Sequence, residues 1–325
     1  MKNLFPERDP SPAAQDDSGG GRQPVDAPKP RLLIIGGPTG AGKSAIAARV
    51  AQLVDGEIVS ADSVQAYRHC DIGSAKPDAE MRRAVPHHLI DVVEPDQPFT
   101  LADFRAAAAV AIDGIVARGK TPIVCGGTGL YIKALLEGLH GGAQSDPALR
   151  RELLETSLPV LYTRLGKLDP ARATALHPND RHRIVRGIEN ALLPQKNVPP
   201  PPPAYDFVFF IITAPRGIIY QRIEDRVDAM LVHGLLDETK ALLARYAADC
   251  KPLMSVGYRQ AVQHLRGELD GAALAAEIKK ATRHYAKRQI TWFSSVHGGI
   301  WVNADALGTG GAAAFIADYF LGRKT

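Results

Sequence analysis

Cysteine is scarce. Only Cys70, Cys125 and Cys250 occur in 325 residues, odd in number and far apart, which excludes a disulfide framework and the paired spacing of a structural zinc site. Such thiols suit a reducing compartment, so a cytoplasmic protein is expected. Long apolar runs are missing as well. The longest alanine-rich stretch, residues 106–112, is hemmed in by Asp103, Arg105 and Asp113 and falls far short of the ~20 apolar residues that cross a bilayer, so no membrane partner is expected. Nor does one sign of charge dominate: Lys plus Arg is 39 against 35 for Asp plus Glu, a net +4, so attraction to a polyanion must come from local clustering. Hydrophobic residues at 45% and charged residues at 23% exclude fibrous and wholly disordered classes.

The pattern along the chain is that of an α/β protein. Residues 31–36 (RLLIIG) read as a buried strand, followed by a glycine-rich turn and a helix over 43–53. Further strands are expected at 57–60, 88–93 (HLIDVV) and 121–125, with a helix over 101–118 before the last of these. Such alternation implies a mostly parallel sheet covered on both faces, with ligands at the carboxyl ends of its strands. From 145 to 190 only helices are expected, and Pro194 with Pro199 to Pro203 forms a stiff return connector. A strand at 206–213 follows, then helices over 216–232, 235–246, 258–266 and 272–292, a strand at 300–302 and a last helix over 311–321. Residues 1–30, with six prolines and no apolar segment, are expected to be a disordered tail. The division is thus a core of 31–139 plus 204–325 and a helical insertion of 140–203.

Gly37, Pro38, Thr39, Gly40, Ala41, Gly42, Lys43 and Ser44 fit the phosphate-loop pattern between a strand and a helix, which makes the core a P-loop, nucleoside-kinase-like fold. Backbone N–H groups curl around phosphate oxygens there, Lys43 supplies a point charge, and Ser44 is placed to ligate Mg²⁺. The motif specifies phosphate without saying which; a nucleoside triphosphate or any diphosphate satisfies the same donors. Asp62 lies just past the second strand, where a carboxylate binds magnesium through water or takes a proton, or else caps a following helix. Asp91 is a second magnesium candidate. Gly126-Gly127-Thr128-Gly129 ends another strand with small residues, as a ligand contact or as a tight turn. Arg181, Arg183 and Arg186 recur on one expected helix, and Arg222 and Arg226 share a face of another. Residues 278–303 hold Lys279, Lys280, Arg283, His284, Lys287 and Arg288 with no Asp or Glu at all. A cationic stripe of that kind, with Tyr285 and Trp292 nearby, suits RNA; the alternative is a structural brace whose cations pair with acids elsewhere in the fold.

Taken in order, GPTGAGKS (37–44), IVSADSVQAYRHCDIGSAKP (58–77), PHHLIDVVEP (86–95), ADFR (102–105), PIVCGGTGLYIKALLEGL (122–139), HPNDRHRIVRGIE (177–189), RIEDRVDAML (222–231), SVGYRQ (255–260) and TRHYAKRQITWF (282–293) resemble the tRNA dimethylallyltransferases, also called tRNA isopentenyltransferases. The resemblance is to the bacterial type and spans nearly all of 32–301. It implies transfer of a dimethylallyl group from dimethylallyl diphosphate to the exocyclic amine of the adenosine 3′ of the anticodon, in tRNAs that read U-initial codons. It also implies that Asp62 is the base, with Thr128 and Arg226 as further catalytic groups. Thr39, Lys43, Ser44, Thr128 and Arg226 become the diphosphate clamp, with Mg²⁺ bridging the oxygens. By the same resemblance the tRNA contacts are Asp62, Ser63, Val64 and Gln65; His182, Arg183, Ile184, Val185 and Arg186 on the insertion; Ser255, Val256, Gly257, Tyr258, Arg259 and Gln260; and Lys287, Arg288, Gln289, Ile290, Thr291, Trp292, Phe293 and Ser294. This chain carries Ser294 where the family often has an arginine, and prolines follow the segment ending at Glu189. A monomer is expected.

Two other readings fit the phosphate loop: an ATP-dependent small-molecule kinase, and prenyl transfer to free AMP. A kinase has no need of an acid-free cationic helix, and prenylation of AMP has no need of the helical insertion. An RNA-binding module without catalysis would not keep an intact phosphate loop beside Asp62.

Overall fold

The computed structural model describes residues 29–138, 146–194 and 205–323. Residues 1–28 of the expected tail and the prolines 199–203 lie outside the described residues. In chain order, β1 (Arg31–Gly36) leads to α1 (Lys43–Leu53) and β2 (Gly56–Ser60), α2 (Ala79–Ala84) to β3 (His87–His88), and α3 (Leu101–Ala117) to β4 (Thr121–Gly126) and α4 (Gly129–Glu137). Four helices follow: α5 (Pro147–Glu155), α6 (Leu158–Leu168), α7 (Pro170–Ala175) and α8 (Arg181–Leu192). The chain then returns through β5 (Asp206–Thr213), α9 (Arg216–Val232), α10 (Leu235–Leu243), α11 (Tyr258–Leu265), α12 (Gly271–Phe293), β6 (Ile300–Asn303) and α13 (Ala304–Leu321).

The six strands form one sheet in the order β3-β2-β4-β1-β5-β6, every neighbouring pair parallel. All carboxyl ends therefore open on one edge, and the phosphate loop leaves β1 near the middle of it. Successive residues of β1 point to opposite faces. Leu33 and Ile35 pack with Ile46 and Val50 of α1 and Ile316 of α13, while Leu32 and Ile34 share the opposite core with Phe104, Phe209 and Phe293. A strand covered on both faces reads as an unbroken apolar run, which is why RLLIIG was legible. Helix α3 starts where Thr100 Oγ1 accepts from the Asp103 N–H (3.2 Å) and Asp103 Oδ2 accepts from the Thr100 N–H (2.9 Å), a reciprocal cap. The insertion helices bury Leu153, Leu161, Leu165, Ile184, Val185 and Ile188 in a cluster of their own.

Three expectations need correction. The strand foreseen over 88–93 stops at His88. Leu89 and Asp91 adopt left-handed backbone (φ 62° and 59°), and the N–H groups of Asp91, Val92 and Val93 donate to Gln65 and Ala66 carbonyls. The apolar run thus wraps the segment after β2 instead of extending the sheet. Second, Asp91 is no magnesium carboxylate: its two oxygens accept from Lys76 Nζ (2.6 Å) and Arg82 Nη1 (2.8 Å). Burial alone would raise its pKa, but these two hydrogen bonds outweigh burial and hold the carboxyl below its ordinary range. Third, the last helix begins seven residues early, at Ala304, and bends at Gly308 (φ 66°).

Candidate active site

The phosphate loop curls because Gly37 takes φ 141° while a Cβ there would lie 2.3 Å from the Ile212 carbonyl oxygen of β5, so no other residue fits. Thr39, Lys43 and Ser44 line a cavity of about 410 Å³ at the carboxyl edge of the sheet, together with Asp62, Arg226, Tyr285 and Gln289. Lys43 Nζ donates to the Pro38 carbonyl (2.7 Å). Burial pushes its ammonium down to about 8; the Arg226 guanidinium adds to the fall and the Asp62 carboxylate opposes it. Arg226, on α9, reaches across to donate from Nη1 to Thr39 Oγ1 (3.3 Å). It too is lowered by burial, with Asp62 opposing. The anion site therefore consists of two desolvated cations that a diphosphate would relieve. Gly37, Pro38, Gly40, Ala41 and Gly42 shape the loop without lining the cavity.

Asp62 faces these cations. No helix follows it; residues 63–66 form a turn, and Oδ1 accepts from the N–H groups of Val64 (2.8 Å) and Gln65 (3.2 Å). The helix-cap reading of Asp62 therefore fails: Oδ1 braces a turn instead, while Oδ2 has no hydrogen-bond partner among the described residues. Ser63, Val64 and Gln65 line the cavity beside it. Thr128 does not line it: its Oγ1 accepts from the Ser63 N–H (3.1 Å) and also meets the Tyr285 hydroxyl, bracing the Asp62 turn from behind. Tyr285 is the member the sequence reading left out of the site. Burial, then the Asp62 carboxylate, push its phenol up to about 12, so it stays protonated.

The stretches assigned to tRNA separate by burial. Ser255, Val256, Gly257, Arg259 and Arg288 line the cavity; His182, Arg183, Lys287, Thr291 and Ser294 are exposed. Ile184, Val185, Tyr258 and Phe293 are at most 2% exposed, so their side chains build cores and do not reach RNA. Gln260 is buried and caps the start of α11 by accepting from the Gly257 N–H (3.0 Å). Ile290 and Trp292 pack against the main core. Gln289, also buried, accepts from the Thr39 N–H (2.8 Å) and donates to the Gly127 carbonyl (2.9 Å), tying the phosphate loop to the glycine turn after β4. Arg186 pairs with Glu189 of its own helix.

The acid-free stripe on α12 is a second correction of role. Lys279 bonds Asp228 (2.7 Å) and Arg283 bonds Glu224 (2.9 Å), both acids on α9, and Lys280 pairs with Glu277. Two of the pairing acids lie on the neighbouring helix, and the third, Glu277, on α12 itself just before the stripe. Ile278, Thr282, Tyr285 and Gln289, at spacings of four, three and four, form the face that lines the cavity. That periodicity was the signal available, but sorting the helix by charge selected a different face.

A parallel α/β sheet with a phosphate loop, a carboxylate across the cavity from it and a half-buried guanidinium on the same cavity defines a P-loop protein. Comparison with known proteins narrows the class. The IPP transferase family model matches residues 65–296, and an isopentenyl transferase model matches 30–90. A tRNA dimethylallyltransferase 1 of Trichlorobacter lovleyi is 48% identical over 288 residues, covering 84% of this chain and 94% of the relative. The tRNA dimethylallyltransferase of Syntrophobacter fumaroxidans is 46% identical, covering 84% and 82%. Among solved structures, the tRNA isopentenylpyrophosphate transferase of Bacillus halodurans superposes with a TM-score of 0.68 at 36% identity, over 90% of this chain and 98% of that one. A eukaryotic dimethylallyltransferase acting on tRNA gives 0.74 at 28% identity, over 91% and 80%. The chain belongs to the tRNA dimethylallyltransferase family.

Proposed function

We propose that this protein transfers the dimethylallyl group of dimethylallyl diphosphate to the exocyclic amine of the adenosine 3′ of the anticodon, in tRNAs reading U-initial codons, and releases diphosphate. The observation that carries the reading is the placement of Asp62, with Oδ2 unpartnered among the described residues, on the same cavity wall system as Lys43, Thr39 and Arg226. An adenine amine is a poor nucleophile because its lone pair is delocalised into the ring, whereas an allylic carbon ionises readily. In the proposed step the amine nitrogen bonds to C1, the C1–O bond breaks with its electron pair leaving on the diphosphate, and the amine proton passes to Asp62. Lys43 and Arg226 stabilise the departing oxygens, so the phosphate loop serves a leaving group and no ATP is consumed.

Magnesium fits this donor set only as an ion held largely by substrate. Among the described residues no cluster of three His, Cys, Asp or Glu could hold a metal, but Ser44 and Asp62 border the same cavity, and Mg²⁺ is commonly bound by substrate phosphates and water with few protein ligands. Ser44 would hold it, and the ion would supply neutralisation of diphosphate charge. The target base must leave its stack to enter the cavity. The exposed His182 and Arg183 of the insertion, with Lys287 and Arg288, are assigned to the tRNA backbone. We assign a cytoplasmic monomer. No helix among the described residues is long and apolar enough to cross a membrane.

The test is incubation of purified protein with bulk tRNA, Mg²⁺ and labelled dimethylallyl diphosphate, followed by digestion to nucleosides. Label on the exocyclic amine of a tRNA adenosine is expected. Stoichiometric ADP formation with ATP, or labelling of free AMP with none in tRNA, would overturn the reading.

A further inference from the structure

A carboxylate outside the cavity holds one of its walls. Glu238, on α10, accepts from three consecutive backbone N–H groups: Asp71 and Ile72 on Oε2 (both 2.8 Å) and Gly73 on Oε1 (3.1 Å). A fourth donor, the hydroxyl of the fully buried Tyr258, reaches Oε1 at 2.5 Å. Neither Glu238 nor Tyr258 lines the cavity, yet Gly73, Ser74, Ala75 and Pro77 do. The Tyr258 ring lies so close that a Cβ on Gly73 would come within 2.5 Å of it, which fixes this position as glycine. Ala75 sits in the left-handed region (φ 50°), a conformation that costs an L-residue energy and persists where its surroundings over-determine it. Those surroundings are Glu238 on one side and, on the other, Lys76, whose ammonium bonds Asp71, Asp91 and the Tyr67 carbonyl.

This wall connects to the carboxylate of the proposed chemistry. Gln65 donates from Nε2 to the carbonyls of Ser74 (3.3 Å) and Ala75 (3.2 Å) and accepts from Ser60 Oγ (3.0 Å). Its backbone N–H is one of the two donors that orient Asp62 Oδ1. The links run from Glu238 to the 71–75 segment, from there to Gln65, and from Gln65 to Asp62.

We propose that Glu238 is a positioning residue for transfer: by gathering the Asp71, Ile72 and Gly73 amides and the Tyr258 hydroxyl, it sets the acceptor wall and, through Gln65, the aim of Asp62. The inference rests on the reading of Asp62 as the base. A purely structural carboxylate would affect folding and both substrates alike, whereas this one acts on the acceptor side and leaves the phosphate loop untouched.

The experiment measures single-turnover transfer at saturating tRNA and dimethylallyl diphosphate, diphosphate-substrate affinity by calorimetry, and melting temperature. Glu238→Gln should slow transfer on the order of ten- to a hundredfold, the scale of a small misplacement of reacting groups, with the dimethylallyl diphosphate Kd within about twofold of wild type, since none of its assigned ligands is touched. Gln65→Ala should slow it comparably, and the double variant should fall no further than the slower single, because both losses travel through one link. Wild-type rate in folded Glu238→Gln, losses that multiply in the double variant, or an equal loss of diphosphate affinity would each overturn the proposal. If Glu238→Gln does not fold, Tyr258→Phe, which removes one donor of four, takes its place in the same cycle: a smaller loss that vanishes in the Gln65→Ala background supports the proposal, and an undiminished one overturns it. Asp62→Asn in the same assay separates the two readings. At wild-type rate it removes the base assignment; inactive beside a fully active Glu238→Gln, it removes the positioning role alone.

Discussion

Raising the pH past 8 should loosen dimethylallyl diphosphate, and the reason is Lys43. Its ammonium sits at about 8 where the ordinary value is 10.5, a displacement worth at most about 3 kcal/mol, a ceiling because the half-buried side chain keeps some solvent screening. For folding the sign is unfavourable below 8. The unfolded chain holds that proton more tightly, so between 8 and 10.5 it carries more protons than the native state and stability rises with pH. Binding reverses the sign. A phosphate oxygen beside the ammonium raises its pKa, so the complex holds the proton and affinity is greatest below 8. Above 8 the Kd should climb by about tenfold per pH unit until the pKa of the complex is reached. Calorimetry at pH 9 in two buffers of different ionisation enthalpy should show uptake of about 0.9 proton per diphosphate bound. Lys43→Arg, charged throughout this range, should lose the pH dependence even where it binds more weakly. An affinity flat from pH 7 to 9.5 in the wild type, with no proton uptake at pH 9, would refute the assignment of Lys43 to the leaving group.

Asp62→Asn preserves size and a turn-capping oxygen but removes the base; single-turnover transfer should fall by about 10²–10⁴ while calorimetric diphosphate affinity stays near wild type, and retained turnover would leave Asp62 as a turn brace only. Neutralising Lys287 and Arg288 together should weaken tRNA binding and flatten its salt dependence by about 0.7 to 0.9 for each phosphate no longer neutralised, as read from titrations at several salt concentrations. Neutralising Lys279 and Arg283 should instead lower the melting temperature modestly and leave the slope, because each breaks a partly exposed pair worth ~0–1 kcal/mol; the opposite pattern would return RNA to that face. Gln289→Leu strands the Thr39 N–H and the Gly127 carbonyl, so it should cost about 1–3 kcal/mol in a denaturant melt and weaken diphosphate binding, whereas an unchanged melt would mean water replaces the amide.

The elements that could be read from sequence are those whose local pattern and tertiary role coincide. RLLIIG and DFVFFIIT are central parallel strands, apolar on both faces, and the phosphate loop carries its conformation in its glycines. The residues 88–93 misled because apolar content registers burial and not direction: these side chains are buried or half-buried beside the segment after β2, with left-handed turns at Leu89 and Asp91 that no propensity announces. Pairings across elements were invisible for the same reason. Nothing in the linear order says that Asp228 and Glu224 lie against Lys279 and Arg283, or that Glu238 meets amides 165 or more positions away.

The three faces of helix α12 meet three different surroundings. One turns Lys279 and Arg283 to the acids of α9 and so fixes the helix to the element that carries Arg226. A second, from Ile278 through Tyr285 to Gln289, lines the cavity and reaches both phosphate-side loops. The third leaves Lys287, Thr291 and Ser294 open to solvent. Because Lys279 and Arg283 pair with α9 and Lys280 with Glu277 of its own helix, the charge left for a polyanion is concentrated at the far end, beside Arg288, which lines the cavity. A tRNA held there would have its phosphates neutralised where the base must enter, and not along a uniform rail. On the proposed reading, the local placement of Lys287 and Arg288, more than the count of six basic residues, would couple acceptor binding to the reacting centre.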